Sequence, residues 1–132
     1  MIGLDTNVIV RFLVQDDPAQ AALASSLITS LTAEEPGYIS SVVLVEAFWV
    51  LRRGYKLPTT DVVAALLALV SADEILVEQR DAVRTALRES QDGFDFADAL
   101  VALDGARRGC EYTATFDRKA SELRGMRLLD GS

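Results

Sequence analysis

The sequence predicts an α/β fold: a mostly parallel central sheet of about five strands with helices covering both faces. Three observations carry this. Short apolar runs recur along the chain, at 1–4, 38–39, 75–77, 112–116 and 126–129. Helical spacing follows each of the first four, and strands alternating with helices require parallel pairing with right-handed crossovers. The 132 residues carry no internal repeat, low-complexity stretch or linker, so residues 1–132 are expected to form a single domain.

Each element has its own local signal. Met1-Ile2-Gly3-Leu4 is the first strand, ending at Asp5, and Val8, Ile9, Phe12 and Leu13 recur at helical spacing after it. Asp16-Asp17-Pro18 breaks that helix and opens another, with Asp17 as cap and Pro18 at the first helical position. Leu23, Leu27 and Leu31 mark its expected buried face. Glu35-Pro36-Gly37 is a turn, Tyr38-Ile39 a second strand, and Ser40 or Ser41 caps a helix carrying Val42, Val45, Phe48, Trp49 and Leu51. Arg52-Arg53-Gly54 is expected to end it, with glycine as the left-handed stop.

Pro58 to Asp61 opens a helix that is apolar nearly all round from Val62 to Val70, so it is buried or faces a partner. Ile75-Leu76-Val77 is the third strand, and Arg80 to Ser90 an amphipathic helix with Val83 and Leu87 inward. Asp95 caps the next helix, which runs to Arg108 and stops at Gly109. Tyr112 to Phe116 is a fourth strand, Asp117 to Leu123 a short helix, and Met126 to Leu129 an edge strand.

Composition narrows the chemistry. The chain has no histidine, which removes the usual acid/base at neutral pH and the commonest zinc ligand. A net charge of -7 argues against a simple clamp on nucleic acid, because phosphates are repelled unless basic patches or bound cations reverse the field locally. Cys110 is the sole cysteine and reads as a small hydrophobe. Hydrophobic residues make up 50% of the chain, with a mean hydropathy of +0.21, which hints at apolar surface buried against a partner. No apolar run is long enough to span a bilayer and no signal peptide is recognisable, so a cytoplasmic protein is expected.

Four acids fall at comparable places. Asp5 and Asp117 follow strands, and Glu46 and Asp98 lie near helix starts, where the dipole favours an anion. In open α/β sheets these positions gather at the carboxyl edge, where ligands bind. Taken singly, Asp5 and Asp117 can be turn or cap residues, Asp98 can stabilise the start of its helix, and Glu46 can pair with an arginine. Glu46, ringed by Val42, Val45, Phe48 and Trp49, is expected to be half-buried and to need a partner. Crowded carboxylates raise one another's pKa unless a cation neutralises them, and hard oxygen ligands select Mg²⁺ or Mn²⁺. Such a metal can present an activated water to a phosphodiester without histidine. Arg52, Arg53, Lys56, Arg118 and Lys119 flank the expected edge and could hold a phosphate backbone, or could be solvated charges. Arg107 and Arg108 lie three and four residues from Asp104 and pair with it.

Leu4-Asp5-Thr6-Asn7, Val43-Leu44-Val45-Glu46 with Phe48-Trp49-Val50-Leu51, Phe94-Asp95-Phe96-Ala97-Asp98-Ala99-Leu100, and Thr115-Phe116-Asp117 together resemble the PIN domain. The likeness is closest to VapC-type toxins of toxin/antitoxin modules and covers nearly the whole chain. It implies a three-layer α/β/α sandwich. It also makes Asp5, Glu46, Asp98 and Asp117 the metal-binding and catalytic positions, with Thr6, Asn7 and Thr115 as supporting groups. The activity implied is a Mg²⁺- or Mn²⁺-dependent endoribonuclease, held inactive by a VapB-type antitoxin and forming a homodimer. Other classes fit less well. A phosphoreceiver signalling domain needs an aspartate after its third strand, where Glu78-Gln79 stands, and an Asp-nucleophile phosphatase wants Asp-x-Asp where Asp5-Thr6-Asn7 stands. A catalytically inactive PIN-like binding module would not be expected to keep all four acids.

Overall fold

Asp5 lies two residues beyond strand β1 (Ile2–Gly3) and caps helix α1 (Thr6–Val14), its carboxylate accepting the Val8 N–H at 3.0 Å. The computed structural model describes residues 1–131. They group into two compact units, Met1–Arg80 and the residues from Asp81 onward.

In the first unit, Gln15 closes α1 in the left-handed conformation, φ 63°. Asp17 then caps α2 (Pro18–Ser30), accepting the Gln20 N–H at 3.1 Å, with Pro18 at the first position. Strand β2 (Gly37–Ile39) leads to Ser40, whose hydroxyl accepts the Val43 N–H and caps α3 (Ser41–Trp49). Helix α4 (Thr59–Val70) precedes strand β3 (Ile75–Val77). The three strands pair in parallel in the order β1-β2-β3. Gly37 lets Leu31 and Leu4 pack close to the strand, since a Cβ there would come within 2.8 Å of a Leu31 methyl and 3.1 Å of a Leu4 methyl. Leu4, Ile9, Ile39, Leu44, Leu51 and Leu66 are among the buried core residues.

The second unit holds most of α5 (Arg80–Gln91), with Val83, Ala86 and Leu87 buried, and α6 (Phe96–Arg107), capped by Asp95. Gly109 ends α6 in the left-handed region, φ 91°. Strand β4 (Thr113–Thr115) pairs in parallel with β5 (Met126–Leu128) through a 3₁₀ turn at Ala120–Glu122. Gly105 of α6 packs against β4, and a Cβ there would lie 2.5 Å from the Thr113 hydroxyl oxygen.

Several expectations need correction. The strands form one three-stranded and one two-stranded sheet in place of a single sheet of about five. Each strand is only two or three residues long and the ladders close within each sheet: Leu4 N–H goes to Tyr38, whereas Thr113 and Leu129 N–H groups go to Gly125 and Thr115. On α2 the buried residues are Ala21 and Ala24, and Leu23 is 72% exposed, because small side chains let α2 approach α1 closely. On α3 the buried face is Leu44 and Ala47, continued by Leu51, leaving Val42 and Trp49 outside. That helix continues past Trp49 as a π-helical turn, Val50–Gly54, and so ends at Gly54 as expected, but the glycine is not the left-handed stop: Lys56 is the residue with positive φ, 57°. The helix expected from Asp117 to Leu123 shrinks to the 3₁₀ turn. Helix α4 buries Val62, Val63, Leu66, Leu69 and Val70, and its exposed apolar residues are Ala64 and Ala68, so most of its apolar surface is already covered. Among the described residues no helix is long and apolar enough to cross a membrane.

Candidate active site

Two of the expected acids lie in the first unit. Asp5 is exposed at the start of α1. Thr6, the next residue, is buried, and its hydroxyl donates a hydrogen bond to the Glu46 carboxylate. This bond ties the first turn of α1 to the second turn of α3. Glu46 is exposed, contrary to the half-buried carboxylate expected from its apolar neighbours in sequence. Val42 and Trp49 point outward with it, so the local sequence does not enclose it. Asn7 is exposed and, with Asp5, lines a cavity of about 320 Å³ against α1 and α2.

The other two acids lie in the second unit. Asp98 occupies the first turn of α6, where its N–H donates to Asp95 at 2.9 Å, and is half-buried. Its pKa is raised above the ordinary aspartate value, first by burial, then by the charges of Asp95 and Asp117. Asp117 follows β4. Its N–H donates to the Thr115 hydroxyl at 3.0 Å, and its carboxylate accepts the Ala120 N–H at 2.9 Å. Thr115 therefore holds the backbone at Asp117, as Thr6 holds the side chain of Glu46. None of the four acids is ion-paired among the described residues. Among those residues no group of three or more acids, cysteines or histidines is gathered so as to hold a metal ion. The donor chemistry still suits a hard cation: carboxylate oxygens only, without basic partners, one of them disfavoured as an anion.

The basic residues divide. Arg52 is engaged, donating to the Thr59 hydroxyl at 3.1 Å and to the Leu57 carbonyl, which braces the start of α4. Lys119 lies over the Phe94 ring at 4.6 Å and near Glu122 at 3.9 Å. Arg53, Lys56 and Arg118 are exposed and carry no side-chain hydrogen bond or ion pair among the described residues. Arg107 and Arg108 pair with Asp104 as expected. Glu78, after β3, is spent on the Ser41 N–H at 2.8 Å. A carboxylate capping a helix there leaves the phosphoreceiver reading without its acceptor.

A family model described as PIN domain matches residues 2–126, across both units. The chain belongs to the PIN-domain family. Among solved structures, this PIN domain is similar to Mycobacterium tuberculosis VapC20, described as a Sarcin-Ricin loop cleaving toxin. The two are 22% identical over 92% of this chain and 94% of that one, with a TM-score of 0.48. No curated protein matches the chain. In the PIN domain, the residue that sequence reasoning passed over is Arg11, which lines the same cavity as Asp5. Asp5, Val8 and Arg11 recur every three residues along α1, a signal present in the sequence but masked by the stronger apolar periodicity.

Proposed function

We propose that this PIN domain is a metal-dependent endoribonuclease, the toxin of a type II toxin/antitoxin system, with Asp5, Glu46, Asp98 and Asp117 as its metal-binding and catalytic residues. The observation that carries the reading is the PIN-domain match over residues 2–126, and the surroundings of Asp98 fit it. Asp98 is a half-buried carboxylate with no basic partner among the described residues, its pKa raised first by burial and then by the charges of Asp95 and Asp117, and a divalent cation would favour its charged form.

A bound Mg²⁺ or Mn²⁺ would supply an activated water and stabilise charge on the leaving oxygen. The chain's own residues do the rest. Thr6 fixes the Glu46 carboxylate, and Thr115 fixes the loop that presents Asp117. Asp5 offers its second oxygen outward while its first holds the Val8 N–H. Asn7 beside it is placed to orient substrate. Arg53, Lys56 and Arg118 supply unpaired positive charge for the RNA backbone, with Arg52 and Lys119 contributing through what their structural contacts leave free. A VapB-type antitoxin and a second copy of the chain are the proposed protein partners, in the cytoplasm. Exposed Val42 and Trp49 on α3 support a protein interface.

The deciding experiment incubates the purified protein with total cellular RNA, with Mg²⁺ or with chelator, and maps the cut ends. Discrete new ends that need the metal and vanish in Asp98→Asn are expected. Intact RNA under all conditions would overturn the ribonuclease reading.

A further inference from the structure

Beside Asp5 and Asn7, the cavity against α1 and α2 gathers residues that the cleavage chemistry does not use. Its volume of about 320 Å³ is at the lower end of ligand sites. Val8, Leu23 and Leu27 give it an apolar wall, and Asp5 and Arg11 bring opposite charges to it. Leu23 stays 72% exposed, a cost in apolar surface that the packing of α2 on α1 does not require.

Arg11 is set in place in advance. Its Nε donates to Gln20 at 2.7 Å, and its Nη1 donates to the Tyr55 hydroxyl at 2.8 Å and to Asp16 at 3.2 Å. Tyr55 donates on to Asp16 at 2.9 Å, so a closed ring of bonds fixes the guanidinium plane. Because that plane is rigid, Nη2 is fixed too, and it has no hydrogen bond among the described residues. A clamp between helices would be complete with Nε and Nη1. The remaining donors suit an anion next to an apolar wall, and a nucleotide combines those two properties. Arg11 lies six residues from Asp5 on α1, about 9 Å along the axis, so a phosphate at Arg11 avoids the Asp5 charge and adjoins the phosphate that reaches it.

We propose that this cavity is a nucleotide subsite, in which Arg11 Nη2 holds an RNA phosphate next to the scissile one and Val8, Leu23 and Leu27 take the base between them. The proposal rests on the ribonuclease reading above. RNA sites commonly hold a splayed base against side chains while cations track the backbone.

The test measures binding of a short labelled single-stranded oligoribonucleotide of mixed sequence by fluorescence anisotropy, in chelator, over a range of salt. The full chain is compared with Arg11→Gln, Arg11→Lys and Leu23→Glu, each also assayed by melting. Arg11→Gln is expected to weaken binding and to lower the salt slope by about 0.7 to 1, the share of one phosphate, while Arg11→Lys keeps most of that slope. A helix clamp would change the melting temperature but not the slope. Should Arg11→Gln fail to fold, Leu23→Glu decides, because its side chain is exposed: melting like wild type with weakened RNA binding supports the subsite. If both variants bind RNA as the wild type does, and the wild type cleaves RNA, the subsite is wrong and the cavity belongs to an apolar segment of a protein partner. If the wild type neither binds nor cleaves RNA, the ribonuclease reading fails and the subsite falls with it.

Discussion

The Thr6 hydroxyl, buried in the first turn of α1, donates its hydrogen bond to Glu46 on α3, forty residues away in sequence. Neighbouring positions Asp5 and Thr6 thus take different tasks, one capping a helix and the other orienting a carboxylate from elsewhere. Thr6→Val keeps the shape and removes the bond. Because Glu46 is exposed and water can replace the donor, a loss of about 1 kcal/mol is expected, with a melting temperature lower by about 4 °C. Metal-dependent RNA cleavage should fall further than that loss explains. Melting and cleavage assays on the same preparation separate the two effects.

Asp5 gives a clean separation of cap from chemistry. Asparagine caps a helix about as well as aspartate, whereas alanine costs about 1 kcal/mol. Asp5→Asn should melt close to wild type and Asp5→Ala lower, yet both should lose Mg²⁺-dependent cleavage. Retained cleavage in Asp5→Asn would return Asp5 to a purely structural role.

The pH dependence has a definite sign. Asp98 and Glu89 both have folded-state pKa values raised above the ordinary carboxylate range, chiefly by burial, with Asp95 and Asp117 adding to the first and Asp92 to the second. Where both are ionised, the raised values count against the folded state. As pH falls through the folded pKa values the folded chain takes up protons before the unfolded chain does, so these groups make folding more favourable down to their unfolded values near 3.8 and 4.5. Melting in chelator from neutral to mildly acidic pH should show this contribution. Asp98→Asn and Glu89→Gln should each flatten it, and an unchanged profile in both variants would contradict the burial argument.

Arginines adjacent in sequence should behave differently. Arg52→Ala releases Thr59 and Leu57 at the start of α4 and is expected to lower the melting temperature. Arg53→Ala and Arg118→Ala, whose side chains make no such contacts, should leave melting unchanged and reduce the salt slope of RNA binding by up to about one each. A drop in melting temperature without any change of slope in Arg53→Ala would remove it from the RNA path.

Local chemistry determined much of this protein before any tertiary contact was considered. Asp5, Asp17, Ser40 and Asp95 cap their helices where their side-chain oxygens precede an apolar periodic run, and Gly109 ends α6 as a left-handed stop should. Such signals act over a few residues and survive any global arrangement. The acid positions and the PIN resemblance were legible for the same reason, being short motifs at the ends of strands and the starts of helices. Burial was decided by packing. Leu23 and Trp49 have the composition of core residues and face outward, because Ala21, Ala24, Leu44 and Ala47 hold the contacts on those helices. The pairing of Thr6 with Glu46 and the bonds that tie Arg11 to Asp16, Gln20 and Tyr55 depend on which helices meet and at what height. Those bonds join residues up to 44 apart, where a single sequence carries periodicity but no register between elements, so only the folded chain could choose them.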